Sequence, residues 1–140
     1  MKSRNTGQPA AELGKEDLER LSHFRFQLRR FLRESEDICR RARITPLQYQ
    51  LLLHVRGVPG RDWAYVGELA ERLQARHHGV VALVTRCEQA GLVERRTAET
   101  DRRQVEVHLT PRGEAILLRL AALHQPELRR LREEFALPGW

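Results

Sequence analysis

Between His77 and Leu109 the hydrophobic period of the chain changes once, and that change constrains the fold more than any other feature. Val80, Leu83, Val84 and Cys87 stand at i, i+3, i+4 and i+7, the spacing of one buried helical face. This predicts a helix over roughly His77–Ala90. Gly91 follows, placed for the left-handed conformation that ends helices, with Leu92 folding back on the last turn. Beyond it Leu92–Arg96 and Val105–Leu109 alternate with period two, as paired strands do, around the polar loop Thr97–Gln104. A helix that runs straight into a hairpin leaves few architectures open.

The preceding residues narrow the choice. Trp63–Val66 is a short apolar lead-in, and Glu68–Leu73 reads as a helix joined by a tight turn to the next one. A helix-turn-helix followed at once by a hairpin is a winged helix-turn-helix. The expected fold class is therefore mainly α with a small β-hairpin wing. Flanking it are long helical patterns. From Asp17 to Ala42 a stripe including Leu18, Leu21, Phe24, Leu28, Phe31, Leu32 and Ile38 has the drift of a helix packed along a partner helix, with arginines opposite. Thr45, Pro46 and Gln48 form a capping box that opens a second helix through Leu47, Leu51, Leu52 and Val55, stopped at Gly57–Gly60. Thr110 and Pro111 open a last helix through Ile116, Leu117, Leu120 and Leu123. Pro126 is expected to break or kink it before a further stripe of Leu128, Leu131 and Phe135.

At 140 residues the chain is expected to form one domain, with residues 1–14 a loose polar tail. No apolar run approaches the roughly 20 residues that span a bilayer, and the first residues lack the apolar core of a signal peptide, so no membrane partner is expected. Two distant cysteines, Cys39 and Cys87, make no CxxC pair, which fits a reducing, cytoplasmic location. The net charge is +6, and since Lys2 and Lys15 are the only lysines, 23 of the 25 basic residues are arginine. Arginine suits phosphate and guanine, but GC-rich codon usage produces the same bias, so position must decide. Enzyme chemistry has little support. There is no Gly-rich phosphate loop, HExxH or GxSxG, and His23, His54, His108 and His124 are scattered singly. His78 and Cys87 point to opposite faces of one helix and cannot share a metal ion. No cofactor is expected.

Two stretches point to nucleic acid. With its apolar face buried, the helix at His77–Ala90 turns His77, His78, Val81, Ala82 and Thr85 to other faces, with Arg86 at the flank. A major groove is wide enough to admit such a helix. Val81 and Ala82 would meet thymine methyls, and His77 and His78 phosphates or base acceptors. In the wing, Asp101 stands two residues before Arg103 and can hold its guanidinium by a charged hydrogen bond. An arginine held at a hairpin tip suits the negative potential of a narrow minor groove. The plainer alternatives are a helix packed in an all-α protein and a solvated turn.

The segments "ITPLQYQLLLHV", "GELAERLQARHHGVVALVTRCEQAGLVERR" and "DRRQVEVHLTPRGEAI", in that order, resemble the MarR family of winged-helix regulators over roughly Leu18–Phe135. The resemblance implies one MarR-type domain over residues 15–140. Residues 15–44 and 111–140 would be its dimerisation helices, and residues 45–110 its DNA-binding lobe. It implies a homodimer on double-stranded DNA, acting as a ligand-responsive repressor at a pseudo-palindromic operator. Arg103 would enter the minor groove, Asp101 would steady it, and Arg102 would meet backbone phosphate. It also suggests a small aromatic or phenolic effector between the lobes, near Phe24, Tyr49, His54, Arg56 and Trp63. Three positions depart from the family pattern. Members often carry a small hydroxyl residue where Arg76 stands, a hydroxyl at Gly79 and a basic residue at Ala82. The lost base contact at Ala82 keeps a second reading open, a winged-helix protein-interaction module that has lost DNA binding. A third, thiol-based redox sensing, rests on Cys39, where Arg40 and Arg41 would favour a thiolate.

Overall fold

The computed structural model describes residues 12–139. The expected tail therefore lies, up to residue 11, outside the described residues. Helix α1 spans Lys15–Arg41, α2 Pro46–Arg56, α3 Val66–Leu73, α4 His77–Gln89 and α5 Pro111–Glu134, with strands β1 Trp63–Tyr65, β2 Val93–Thr97 and β3 Val105–Leu109. The architecture is mainly helical with a small antiparallel sheet, as expected, but the sheet has three strands in the order β1-β3-β2. The apolar lead-in is itself a strand, with Trp63 opposite His108 and Tyr65 opposite Glu106. Three residues are too few to show an alternation, so periodicity could not find it.

Capping fixes the boundaries. The Thr45 hydroxyl accepts from Gln48 N–H (3.1 Å) while Gln48 Oε1 accepts from Thr45 N–H (3.0 Å). Helix α1 ends with Arg43 in the left-handed region (φ 58°), and Ile44 N–H donates back to the Cys39 carbonyl at 3.1 Å. Gly91 takes φ 73°, and Leu92 N–H returns to the Cys87 carbonyl at 2.9 Å. The helix-turn-helix corner is made by Gln74, also left-handed, with Ala75 N–H bonded to the Ala70 carbonyl at 3.0 Å.

The core gathers on α2. Leu51, Leu52 and Val55 are fully buried together with Leu69 of α3, Val84 and Cys87 of α4, Val107 of β3 and Leu120 of α5. Several expected core positions are not core. Leu47 is 51% exposed, because the buried face of α2 is centred on Leu52 and Val55 and leaves Leu47 roughly 100° round the helix. On α1, Leu18 and Leu32 lie at the flanks of the stripe that meets α5 and are exposed, as is Phe26 on the far side. On α5 the buried run Leu117 and Leu120 continues into His124, and Leu123 and Leu128 face outward.

Pro126 does not break α5, which continues unbroken to Glu134. The turns beyond it are tied to α1. Arg130 pairs with Glu34, Gln27 Nε2 donates to the Glu134 carbonyl at 2.6 Å, and Phe135 packs on Phe24 with ring centroids 5.1 Å apart. These contacts outweigh the lost backbone hydrogen bond and ring clash, worth about 3 kcal/mol. No described helix is long and apolar enough to cross a membrane.

Candidate nucleic-acid interface

Helix α4 buries Val80, Leu83, Val84 and Cys87. That leaves His77, His78, Gly79, Val81 and Ala82 exposed along its front, with Arg86 exposed and Thr85 half-buried. Arg76 is the N-cap residue and makes no side-chain cap, and the first turn holds no acid. The unpaired N–H groups and the helix dipole therefore present positive potential at the exposed end. A Cβ built at Gly79 meets nothing within 4 Å, so this glycine is not demanded by packing inside the chain.

The wing rises beside this helix. Its loop is closed by Ala98 N–H to the Gln104 carbonyl (3.1 Å) and turned by Gln104 N–H to the Asp101 carbonyl (3.0 Å). Within the turn Asp101 Oδ1 accepts from Arg103 N–H at 3.0 Å and from Arg103 Nε at 3.4 Å. Asp101 thus meets both the backbone and the guanidinium of Arg103, whose side chain is 91% exposed. Arg102 is exposed beside it. Arg103 and His77 line one cleft of about 450 Å3 together with Gly67 and Glu71. The wing turn and the start of α4 therefore open on the same side of the molecule, an arrangement suited to a duplex that offers a groove and its flanking phosphates at once.

One interface residue has no counterpart in the sequence reading. Arg95 of β2 reaches across to α4, where Nη2 donates to Thr85 Oγ1 (2.7 Å) and to the Val81 carbonyl (3.0 Å). Nη1 donates to Glu88 Oε1 at 3.0 Å, and Arg95 N–H donates to Glu88 Oε2 at 3.2 Å. Thr85 also donates its hydroxyl proton to the Val81 carbonyl at 3.0 Å, so its hydroxyl is already engaged inside the chain. The usable sequence signal was parity. Arg95 shares a strand face with the buried Val93 and lies opposite the buried Val107, an inward position for a charge.

The five residues expected near an effector are spread through the molecule. Phe24 packs on Phe135, and Tyr49 is buried against the His124 ring, centroids 4.8 Å apart and nearly parallel. His54 is half-buried in α2, where desolvation, and secondarily Arg72, lowers its pKa. Arg56 pairs with Asp62 and, at 3.2 Å, with Glu114. Trp63 lies beneath the Arg61 guanidinium, 4.3 Å from the ring centre. A cleft of about 400 Å3 between α1 and α5 is lined by none of them; Ile38, Arg41, Ala42, Arg119, Leu123 and Pro126 are among its walls.

The thiolate expected at Cys39 is contradicted by its surroundings. Cys39 is fully buried and desolvation raises its pKa, while Arg40 beside it turns outward to pair with Asp37 at 3.1 Å. Cys87, expected on the buried face of its helix, is buried there, and desolvation pushes its thiol pKa up to about 11.

The family model described as the MarR family matches residues 44–104. The helix-turn-helix transcriptional regulator YsmB of Bacillus subtilis (strain 168), itself uncharacterised, is 30% identical over 108 residues, covering 73% of this chain and 68% of its own. Among solved structures, AbsC, a MarR family transcriptional regulator from Streptomyces coelicolor, superposes with a TM-score of 0.77 at 22% identity, over 92% of this chain and 86% of that one. A mutant of S. aureus MepR bound to an oligodeoxyribonucleotide superposes with a TM-score of 0.65 at 18% identity, over 89% and 86%. With the wing, the helix-turn-helix and these matches in agreement, the chain belongs to the MarR family of transcriptional regulators, proteins with a DNA-binding fold.

Proposed function

We propose that this regulator is a ligand-responsive repressor that binds a pseudo-palindromic operator as a homodimer. The observation that carries the reading is the common opening of the start of α4, whose first turn holds no acid, and the turn that presents the exposed Arg103 guanidinium. The oligodeoxyribonucleotide bound to the MepR mutant, a protein of the same fold, supports DNA as the partner class. His77, His78, Gly79, Val81 and Ala82 would face the major groove and Arg103 the minor groove, with Arg76, Arg86 and Arg102 on phosphates. Thr85 would contribute through Arg95 rather than by its own hydroxyl. The division into dimerisation helices (15–44 and 111–140) and a DNA-binding lobe (45–110) belongs to the same proposal, as does a cytoplasmic location.

A second copy of the chain is the natural cover for the apolar residues left outside the core. Leu18, Phe26 and Leu32 on α1 and Leu118, Leu123 and Leu128 on α5 are all exposed. Two-fold symmetry would set two α4 helices in successive major grooves, about 10 bp apart. The effector reading is best served by the α1–α5 cleft. Its three acids have partners, since Glu34 pairs with Arg130 and Arg30, Glu127 also with Arg130 and Asp37 with Arg40, whereas Arg41 and Arg119 have no carboxylate partner among the described residues. An apolar floor with two free guanidiniums suits a small aromatic or phenolic anion.

A polarisation titration on random and genome-selected duplexes at two salt concentrations tests the function. Binding that weakens steeply with salt and prefers the selected fragments is expected. No binding even at low salt would leave the protein-interaction reading in its place.

A further inference from the structure

We infer that Arg95 is a positioning residue that fixes the angle between the recognition helix and the wing, so that α4 and Arg103 reach their grooves together. This rests on the DNA-binding reading above. The three groups that Arg95 holds on α4 are Val81, Thr85 and Glu88, at i, i+4 and i+7, one flank of the helix running about 10 Å along its axis. They lie beside the buried face of Val80, Val84 and Cys87, not within it, so this flank is tied to the sheet by polar contacts rather than by the apolar core. Arg95 supplies the constraint. Its planar fork takes three acceptors at fixed angles, and Glu88 accepts both the fork and the Arg95 backbone N–H.

The strand that carries this fork is the one that runs out to the wing turn. From Thr97, the last residue of β2, four residues lead to Asp101, whose carboxylate receives Arg103. Helix and wing tip are therefore referred to the same strand, the helix through the Arg95 side chain and the tip through the backbone. The Arg95 side chain is 28% exposed, and both of its terminal nitrogens are already bonded to α4, so its role is assigned to holding α4 rather than to a groove contact. A lysine at this position offers one ammonium on a flexible stem and cannot span the same acceptors.

The test is a double-substitution cycle between Arg95→Gln and Arg103→Ala, read as affinity for a selected duplex at a temperature where thermal melts show every variant folded. Each single substitution should weaken binding roughly tenfold. Together they should weaken it by clearly less than the product, because a wing no longer set by the helix gains little from Arg103. Arg95→Lys should fail to restore affinity even where it restores the melting temperature. If Arg103→Ala costs the same factor with and without Arg95, or if Arg95→Gln lowers only the melting temperature, the positioning role is overturned. Absence of binding by the unsubstituted protein would remove the DNA reading and this role with it, whereas binding with multiplicative penalties removes this role alone.

Discussion

Gly113 shows how little freedom single residues have where the wing meets α5. A Cβ placed there would come 2.0 Å from the Leu92 carbonyl oxygen, and Thr110 binds both ends of the contact, donating its hydroxyl to the Gly91 carbonyl at 2.6 Å and accepting from Gly113 N–H at 3.0 Å. Backbone would have to move, so Gly113→Ala should destabilise the protein by about 3 kcal/mol in chemical denaturation. Arg43 is the opposite case. Its left-handed backbone costs a residue with a Cβ about 1–2 kcal/mol, and glycine removes that at some cost in chain entropy. Arg43→Gly should therefore raise stability by roughly 0.5–1 kcal/mol, a gain that a denaturation midpoint would register. His54 gives a pH signature. Its folded pKa is lowered, so the unfolded chain binds the proton first, and stability should fall as pH drops below the ordinary histidine value of 6.5. His54→Gln should flatten that limb of the stability–pH curve. None of these three was visible in the sequence: Gly113 and His54 depend on what another segment places beside them, and nothing in the residue type at Arg43 marks a left-handed backbone.

At the scale of elements, the helices and the hairpin were legible because each carries its own period and its own caps. The Thr45–Gln48 box and the Thr110–Pro111 start need only residues a few positions apart, and both formed. What could not be read were the contacts between elements. The strand β1 exists because β3 offers it an edge, and α5 passes Pro126 because α1 holds the turns beyond it. Pro126→Ala should restore the missing hydrogen bond and raise stability by roughly 1–3 kcal/mol in the same denaturation assay. The α1–α5 tie also has an acid limit. Its Arg130 partner, helped by a hydrogen bond from Glu127 and less by Arg30, holds the Glu34 carboxyl down from 4.5 to about 2, although burial opposes this, while Glu127 is raised in turn. The stability this gives is present above pH 4.5 and should be lost as pH falls towards about 2, and Glu34→Gln should remove that dependence. For the candidate interface, the front of α4 could be read from the helical period, whereas Arg95 looked like one more charge in "VERR" until the sheet assigned it a face.

For the whole molecule, position settles what composition could not. The arginine excess is spread over every helix, and many arginines are held in surface ion pairs that contribute little to stability. The ones that the proposed interface would use are few and lie with the exposed end of α4. Arg103→Ala should weaken binding by roughly 1–3 kcal/mol while leaving the sedimentation of the assembled protein unchanged, because the wing turn is remote from the exposed apolar faces of α1 and α5.

The Leu92–Thr110–Gly113 junction has a mechanical consequence. The winged portion is joined to the long helices by two lengths of chain, one through Arg43 and one through Thr110. The first is a short link through a left-handed residue, and the second is a close backbone contact with no room for even a methyl group. Such a pair works as a door with one pin and one short tether. Any swing of the winged portion would turn about the pin at Gly113, and the backbone at Arg43 would have to bend with it.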